Sequence, residues 1–382
     1  MAGVKYIGPL FDGSGYSEAA RNYVLSIHKQ GYPITVSPIT FEQTRPDLGA
    51  DGQVLHSLVN KKIDYDKVIV HSTPNLWHHF TRYDVNKYII GYTVWETSKL
   101  HPVWVNACSR ANEVWVPCDW NIEVFRDSGV NRPLFKVPHA IEVVDQNSLP
   151  NLSWEGISDN DFVFYSIFQW QERKNPYALL AAYNVAFSGV DDVVLVLKTY
   201  RRDHASTEEK EHIRQSIIKY RNDFALPHFP KIVLVVANMS RQEILGLHKR
   251  GDAFVLLQRA EGWGLPHFEA AMCGKPVITT DYGGQTEFLK PEHSYLVDSH
   301  LTPVVGMTSF SDTYLSTQYW AEPNVKTAID SMRHVYENRG EARVRGEKAR
   351  QYISDNFTWD VVGDIIVKRL QQLDQGVIKC QQ

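Results

Sequence analysis

Cysteine is scarce in this chain, long apolar runs are missing, and neither charge is in marked excess. Cys108, Cys118, Cys273 and Cys380 are scattered through 382 residues, and no pair has the spacing of metal ligands. So thin a scatter is not a disulfide framework, and a reducing compartment is the expectation. No apolar stretch approaches the roughly 20 residues that a membrane-spanning helix requires, which leaves only peripheral contact with a membrane open. The first residues run directly into a strand-like segment at 4–7, without the basic region and apolar core of an export leader, so a cytoplasmic location is expected. The sequons at Asn151 and Asn356 then read as accidental. A net charge of −4 argues against nucleic acid as a partner, while a local basic pocket is compatible with it. The glycine fingerprint of a dinucleotide-binding turn is also absent after the first strand-like segment.

What is present has the composition of a folded globular protein, in a chain long enough for two ordinary cores or one large one. Short apolar runs at 4–7, 34–36, 68–70, 88–92 and 113–117 alternate with helical patterns and read as strands. After a turn at Gly13-Ser14-Gly15 comes a helix whose Ala20, Tyr23, Val24 and Ile27 share one face, with Ser17 as its expected cap and Gly31 as its stop. A polar stretch at 145–161 breaks the rhythm and is the expected linker. Strands are then predicted at 162–167, 193–197, 232–236, 253–256 and 276–279, with a helix at 178–187 and an exposed charged helix at 201–221. A last helix at 359–373 carries Val361, Val362, Ile365, Ile366, Leu370 and Leu373 on one apolar face. Continuous apolar strands separated by helices favour parallel sheets covered on both faces. The expected fold class is α/β.

One stretch carries most of the chemical information: Glu261-Gly262-Trp263-Gly264-Leu265-Pro266-His267-Phe268-Glu269. Gly262 and Gly264 permit a tight turn and a close approach of backbone to ligand. Pro266 fits the opening of a helix, whose free amides attract an anion. Glu261 before the turn and Glu269 within the helix are two fixed acceptors that can bind hydroxyls, and that combination suits a sugar attached to a phosphate. The bland alternative is two surface glutamates around a capping turn. A buried strand after Gly274 and a second flexible turn at Asp281-Tyr282-Gly283-Gly284 follow on the same sheet edge, where ligands of open sheets collect.

Other candidates stand at strand ends. Arg173 and Lys174 follow one strand and Lys198 follows the next, so they can converge on a diphosphate, arginine as a planar fork and lysine as a point charge. Gly13 and Gly15 offer amides to a phosphate, a weaker signal by itself. In Thr93-Val94-Trp95-Glu96-Thr97, Glu96 is placed either to polarise an acceptor hydroxyl or to serve as a loop residue. His101 and the Trp77-His78-His79 cluster are acceptor-side candidates, and His71 at a strand end reads as structural more readily than catalytic. Asp64-Tyr65-Asp66 and Asp159-Asn160-Asp161 have the form of metal-nucleotide aspartates but also make good turns before strands, and no metal is expected.

The Glu-seven-residues-Glu signature at Glu261 and Glu269, the Ala271-Met272-Cys273-Gly274-Lys275-Pro276-Val277 sequel and the Gly-Gly turn resemble family 4 retaining glycosyltransferases. Arg173-Lys174-Asn175-Pro176 is similar to the phosphate-side motif of that family, and Val114-Trp115-Val116-Pro117 and Val137-Pro138-His139-Ala140-Ile141-Glu142 to its inter-domain approach, with His139 where asparagine is common. The resemblance covers most of the second half and, loosely, the first. It implies the glycosyltransferase-B fold: two Rossmann-like domains facing each other across a cleft. The expected division is an acceptor-binding domain at 1–150, a nucleotide-sugar domain at 151–355 and a terminal helix at 356–382 packing back on the first. By the same likeness, Glu269 would hold the donor ribose and Glu261 would contact the transferred sugar. Arg173 or Lys174 with Lys198 would neutralise the diphosphate, Gly13 and Gly15 would approach it, and Gly262, Trp263, Gly264 and Leu265 would line the donor. The family presents a histidine in its first domain where Glu96 stands here. A hexose, with mannose favoured, would pass with retention from a nucleoside-diphosphate sugar to a glycan, lipid-linked glycan or small-molecule acceptor. GDP-mannose ranks ahead of UDP-sugars, and no cofactor is needed. The alternatives are a non-catalytic nucleotide-sugar or carbohydrate-binding module, which would bind without turnover, and a glycan phosphorylase, which would release sugar phosphate.

Overall fold

Parallel strand pairing organises each of two units: Met1–Val143 with Ser354–Gln382, and Val144–Ile353. The computed structural model describes residues 2–202, 206–308 and 312–376. Cys380 and residues 203–205 of the charged segment lie outside them.

The first unit runs β1 (Gly3–Pro9), α1 (Gly15–Lys29), β2 (Ile34–Ile39), α2 (Gly49–Leu58), β3 (Tyr65–His71), α3 (Pro74–Thr81), β4 (Tyr88–Tyr92), α4 (Pro102–Cys108), β5 (Glu113–Val116), α5 (Asp119–Asp127) and β6 (Leu134–Lys136). Its sheet has the order β2-β1-β3-β4-β5-β6, with every neighbouring pair parallel. The helix stripe on α1 is fully buried, as its spacing predicts, but the start of α1 differs from expectation. Ser14 is the cap, its hydroxyl accepting from the Ser17 amide, so Gly15 is the first helical residue and Ser17 lies inside the first turn. The cap falls earlier because the Ser14 amide and hydroxyl are themselves held by Asp12.

The second unit contains β7 (Phe162–Gln169), α6 (Pro176–Ala186), β8 (Val193–Tyr200), α7 (Thr207–Asn222), β9 (Lys231–Val235), α8 (Arg241–Arg250), β10 (Ala253–Leu256), α9 (Leu265–Met272), β11 (Val277–Thr280), β12 (Tyr295–Val297), the hairpin strands β13 (Ser299–Pro303) and β14 (Tyr319–Pro323), and α10 (Val325–Glu337). Its main sheet is ordered β12-β11-β10-β7-β8-β9 and is parallel throughout. Val193 to Leu197 are all buried, which is why β8 reads as an unbroken apolar run. That strand continues two residues past Lys198, so the lysine lies within it, paired in register with Ile167 and Val235, rather than after it. Helix α7 is not wholly exposed: Ile213 and Ile217 anchor it to the sheet. The polar stretch at 145–161 holds one short 3-10 turn, Gln146–Ser148, and then buries Leu149 against Leu245 and Cys273.

Two helices end the described chain, α11 (Arg339–Asn356) and α12 (Trp359–Asp374). Val362, Ile366 and Leu370 of α12 join the core of the first unit beside Tyr23, Val24 and Ile27. Gly363 permits this closeness, since a Cβ there would stand 2.8 Å from the Ser26 carbonyl oxygen. Arg369 reaches inward to Glu113, donating from Nη2 at 2.5 Å and from Nε at 3.2 Å. The Trp115 indole (2.8 Å) and the Tyr88 hydroxyl (3.2 Å) also donate to Glu113, and the guanidinium lies 3.8 Å from the centroid of the Phe135 ring. A buried carboxylate so fully used has no substitute partner. Removing the arginine alone should therefore cost about 3–5 kcal/mol. Urea unfolding of Arg369→Ala should show that loss, and an apolar pair such as Glu113→Leu with Arg369→Met should recover most of it.

Candidate functional site

In the second unit the chain leaves β7 toward β8 and β9 but leaves β10 toward β11 and β12, although β7 and β10 are neighbours. The loops beyond these two strands thus emerge side by side at a switch point, where open α/β sheets collect ligands. They are laced together. The Arg259 amide donates to the Arg173 carbonyl at 2.8 Å, and Arg173 Nη1 donates to the Ala260 carbonyl at 2.8 Å.

Glu261 sits at that junction, buried rather than on the surface, and takes Arg173 at 3.3 Å together with Lys174. Burial alone would raise its carboxyl, but Lys174, Arg173 and His267 outweigh burial and hold it at about 2. The adjoining turn is built by glycines. Gly264, at φ +87°, caps α9. A Cβ on Gly284 would fall 1.8 Å from the Gly262 carbonyl oxygen, so the second glycine turn can pack against the first only without side chains. The Gly284 amide donates to the Glu261 carbonyl at 2.8 Å. Leu265 opens α9 half-buried, with Pro266 in the first turn. The Trp263 ring is buried against Phe268 and Phe288 and supports the turn.

Glu269 is buried on α9 and pairs with Arg241, the first residue of α8, and at 3.4 Å with His248 Nε2. Burial would again raise the carboxyl, but Arg241 and His248 hold it at about 2. His248 Nδ1 shares a 2.9 Å hydrogen bond with the Tyr165 hydroxyl, which fixes the ring. Lys198 is different. It is buried, has no ion-pair partner among the described residues, and is pushed down to about 8 by burial. A lysine in that setting is ready for an anion.

In the first unit, Gly13 and Gly15 are exposed at the start of α1. Asp12, buried beneath them, accepts from the Ser14 amide (3.0 Å), the Ser14 hydroxyl (2.6 Å) and the Phe41 amide (2.8 Å). Glu96 is half-buried in the loop after β4, near enough to Tyr16 to help raise that phenol, after burial, to about 12. His101 caps α4, its Nδ1 accepting from the Val103 amide at 3.1 Å. Trp77, expected on the acceptor side, is instead buried. It is a core residue whose indole donates to the Ser72 carbonyl at 3.0 Å and whose ring fills the space over Gly91, where a Cβ would lie 2.3 Å away. His71 is buried with Tyr6, Tyr23, Tyr92 and His139, and burial holds both histidines well below the ordinary value, His139 at about 3. Sequence reasoning missed Asp12, Arg241, His248, Arg259 and Glu322. Only Arg241 left a local signal, the Ser240-Arg241-Gln242-Glu243 capping box that opens α8. Among the described residues no group of three or more His, Cys, Asp or Glu is placed to hold a metal ion, and no helix is long and apolar enough to cross a membrane.

Residues 155–303 match the family described as group 1 glycosyl transferases, a segment that ends with β13 and stops short of β14. A glycogen synthase of Mycobacterium tuberculosis is 27% identical over 192 residues; the match spans 50% of this chain and 41% of that longer relative. Among solved structures, the sucrose-phosphate synthase of Thermosynechococcus elongatus is similar with a TM-score of 0.68 at 13% identity, covering 99% of this chain and 100% of the other. Anabaena HepE, solved with UDP-glucose, is similar with a TM-score of 0.66 at 14% identity, covering 97% and 100%. These likenesses over nearly the whole chain establish the glycosyltransferase-B fold, with two Rossmann-like units.

The paired carboxyls carry a consequence for acid stability. Glu261 and Glu269 both lie below the ordinary value of 4.5, so their contribution is complete above about pH 4.5 and is lost as the pH falls toward 2. Urea unfolding in that window should show stability dropping by at most about 1.4 kcal/mol per pH unit for each carboxyl. Glu269→Gln should flatten the slope; an unchanged slope would mean that Glu269 is not held ionised.

Proposed function

We propose that the chain is a retaining glycosyltransferase that binds a nucleoside-diphosphate sugar on its second unit and transfers the hexose to a carbohydrate, lipid-linked or small-molecule acceptor. The observation that carries this reading is the buried Glu261 with Arg173 and Lys174 fixed on it at the switch point, beside a second buried carboxylate, Glu269, on the helix that follows and a buried lysine, Lys198, on the neighbouring strand with no acid of its own. The matched family segment and the nucleotide-sugar ligand of one similar structure support it.

Arg173, Lys174 and Lys198 hold the diphosphate, and the amides at the start of α9 add to the positive field. Glu269 accepts the ribose hydroxyls. Glu261, with up to four lone-pair directions, keeps its cations and still accepts from a hydroxyl of the transferred sugar. Charge that develops on the departing diphosphate is met by groups fixed in advance, so little reorganisation is needed in the transition state. The leaving phosphate takes the proton of the acceptor hydroxyl, and no protein nucleophile is required. On the first unit the amides at Gly13 and Gly15 form a second anion-attracting turn, and Glu96 with His101 serves the acceptor. GDP-mannose is the donor drawn from the family likeness, and UDP-glucose the one drawn from HepE.

Calorimetric titration with GDP-mannose, UDP-glucose and ADP-glucose should show one of them binding, with release of the nucleoside diphosphate when an acceptor is added. Release of sugar phosphate, or binding without turnover on any acceptor, would overturn the reading. Glu269→Ala should weaken donor binding about tenfold or more, the loss expected when charge-assisted hydrogen bonds disappear. Lys198→Ala should chiefly lower kcat. Because burial holds the free Lys198 at about 8, kcat/KM should fall as the pH rises through about 8, and Lys198→Arg should abolish that fall. A profile equally steep in the arginine variant would remove Lys198 from the role.

A further inference from the structure

The β13–β14 hairpin is an addition to the Rossmann framework of the second unit, forming its own two-stranded sheet. It packs against the two loops that build the proposed donor site. Trp320 at the start of β14 is buried with Ala260, Val304 and Met307, and the Ala321 amide donates to the Arg259 carbonyl at 2.9 Å. Glu322, on β14, then bridges the loops. Its Oε2 accepts from Arg259 Nε at 2.5 Å and its Oε1 from Asn175 Nδ2 at 3.1 Å.

Both partners control the turn that carries the cations. Asn175 ends the 3-10 turn Glu172–Lys174 in a left-handed conformation, φ +52°, and caps α6 by accepting from the Ala178 amide. Asparagine tolerates that backbone best among the residues with side chains, and here both ends of its amide are fixed. Arg259 donates from Nη1 to the Glu172 carbonyl at 2.9 Å and through its own amide to the Arg173 carbonyl. The guanidinium also lies 5.2 Å from the Trp320 ring centroid. One carboxylate on the hairpin therefore holds the entry and the exit of a three-residue turn whose side chains are Arg173 and Lys174.

We propose that Glu322 is a positioning residue for the donor-phosphate cations: it touches no substrate, and it fixes the Glu172–Lys174 turn through Arg259 and Asn175. This rests on the reading of Arg173 and Lys174 as diphosphate ligands. The side chain of Glu322 is only about two-thirds buried, so its removal leaves no sealed cavity and should spare the fold.

The test uses the full chain with Glu322→Ala and Glu322→Gln, reading hydrogen exchange over residues 170–176 and the binding and turnover of GDP-mannose and UDP-glucose. In the alanine variant, exchange there should speed up, donor affinity should fall about tenfold, and kcat should fall with it, a fraction of what two hydrogen bonds to a charged group contribute because Glu322 acts on the donor only through the turn. Glutamine keeps one acceptor oxygen of the two and should fall between. A merely structural role would lower the unfolding midpoint and leave donor affinity and kcat/KM within about twofold of the native protein; that result overturns the proposal. If the unaltered protein binds no nucleotide sugar, the diphosphate reading has failed by itself. Exchange at 170–176 then decides the remaining claim: faster exchange in the alanine variant upholds Glu322 as the brace of that turn, and unchanged exchange refutes it.

Discussion

The buried pairing of Glu261 with Arg173 and Lys174 is the interaction on which the second unit's functional edge depends. A carboxylate held at that depth would be costly without partners, and two cations from the neighbouring loop supply them. Arg173 and Lys174 stand on a three-residue 3-10 turn and Glu261 on an irregular one, and no helix or strand ladder joins the two. The charge pairing does so, helped by the carbonyl of Ala260 and the paired glycines at 262 and 284. One contact thereby fixes two loops and keeps two cations fixed before any anion arrives.

That arrangement gives the sheet edge an uneven charge pattern. Glu261 and Glu269 each have their own cations, whereas Lys198 stands on the adjacent strand without a carboxylate among the described residues. An anion entering there finds a desolvated lysine whose charge burial has already made less favourable, so binding the anion restores what burial took away. In the first unit the glycine turn is held by the Asp12 carboxylate and by Arg21, whose Nη1 donates to the Leu10 and Asp12 carbonyls.

Much of this was readable from residue order. Strands such as β8 and β10 are continuous apolar runs because both faces of a parallel sheet are covered, and that pattern survives without an alignment. The glutamate pair was visible because its spacing and glycines lie within one short stretch. Contacts that cross the chain were not. Arg241 meets Glu269 from another helix, with only the capping box around it as a local mark, and Glu322 reaches Asn175 from a hairpin far along the sequence with nothing local to mark it. Trp77 misled for a related reason. Two histidines beside it suggest a surface cluster, while the explanation of its burial is the missing side chain at Gly91 on a different strand. Caps proved sensitive to neighbours as well, since Asp12 moves the start of α1 from the expected serine to Ser14.

The most direct measurement is a crystal structure of the chain soaked with GDP-mannose or UDP-glucose. The diphosphate should lie within hydrogen-bonding reach of Arg173, Lys174 and Lys198, with the ribose hydroxyls on Glu269. A nucleotide bound elsewhere on the second unit, with Lys198 left without an anion, would contradict the assignment.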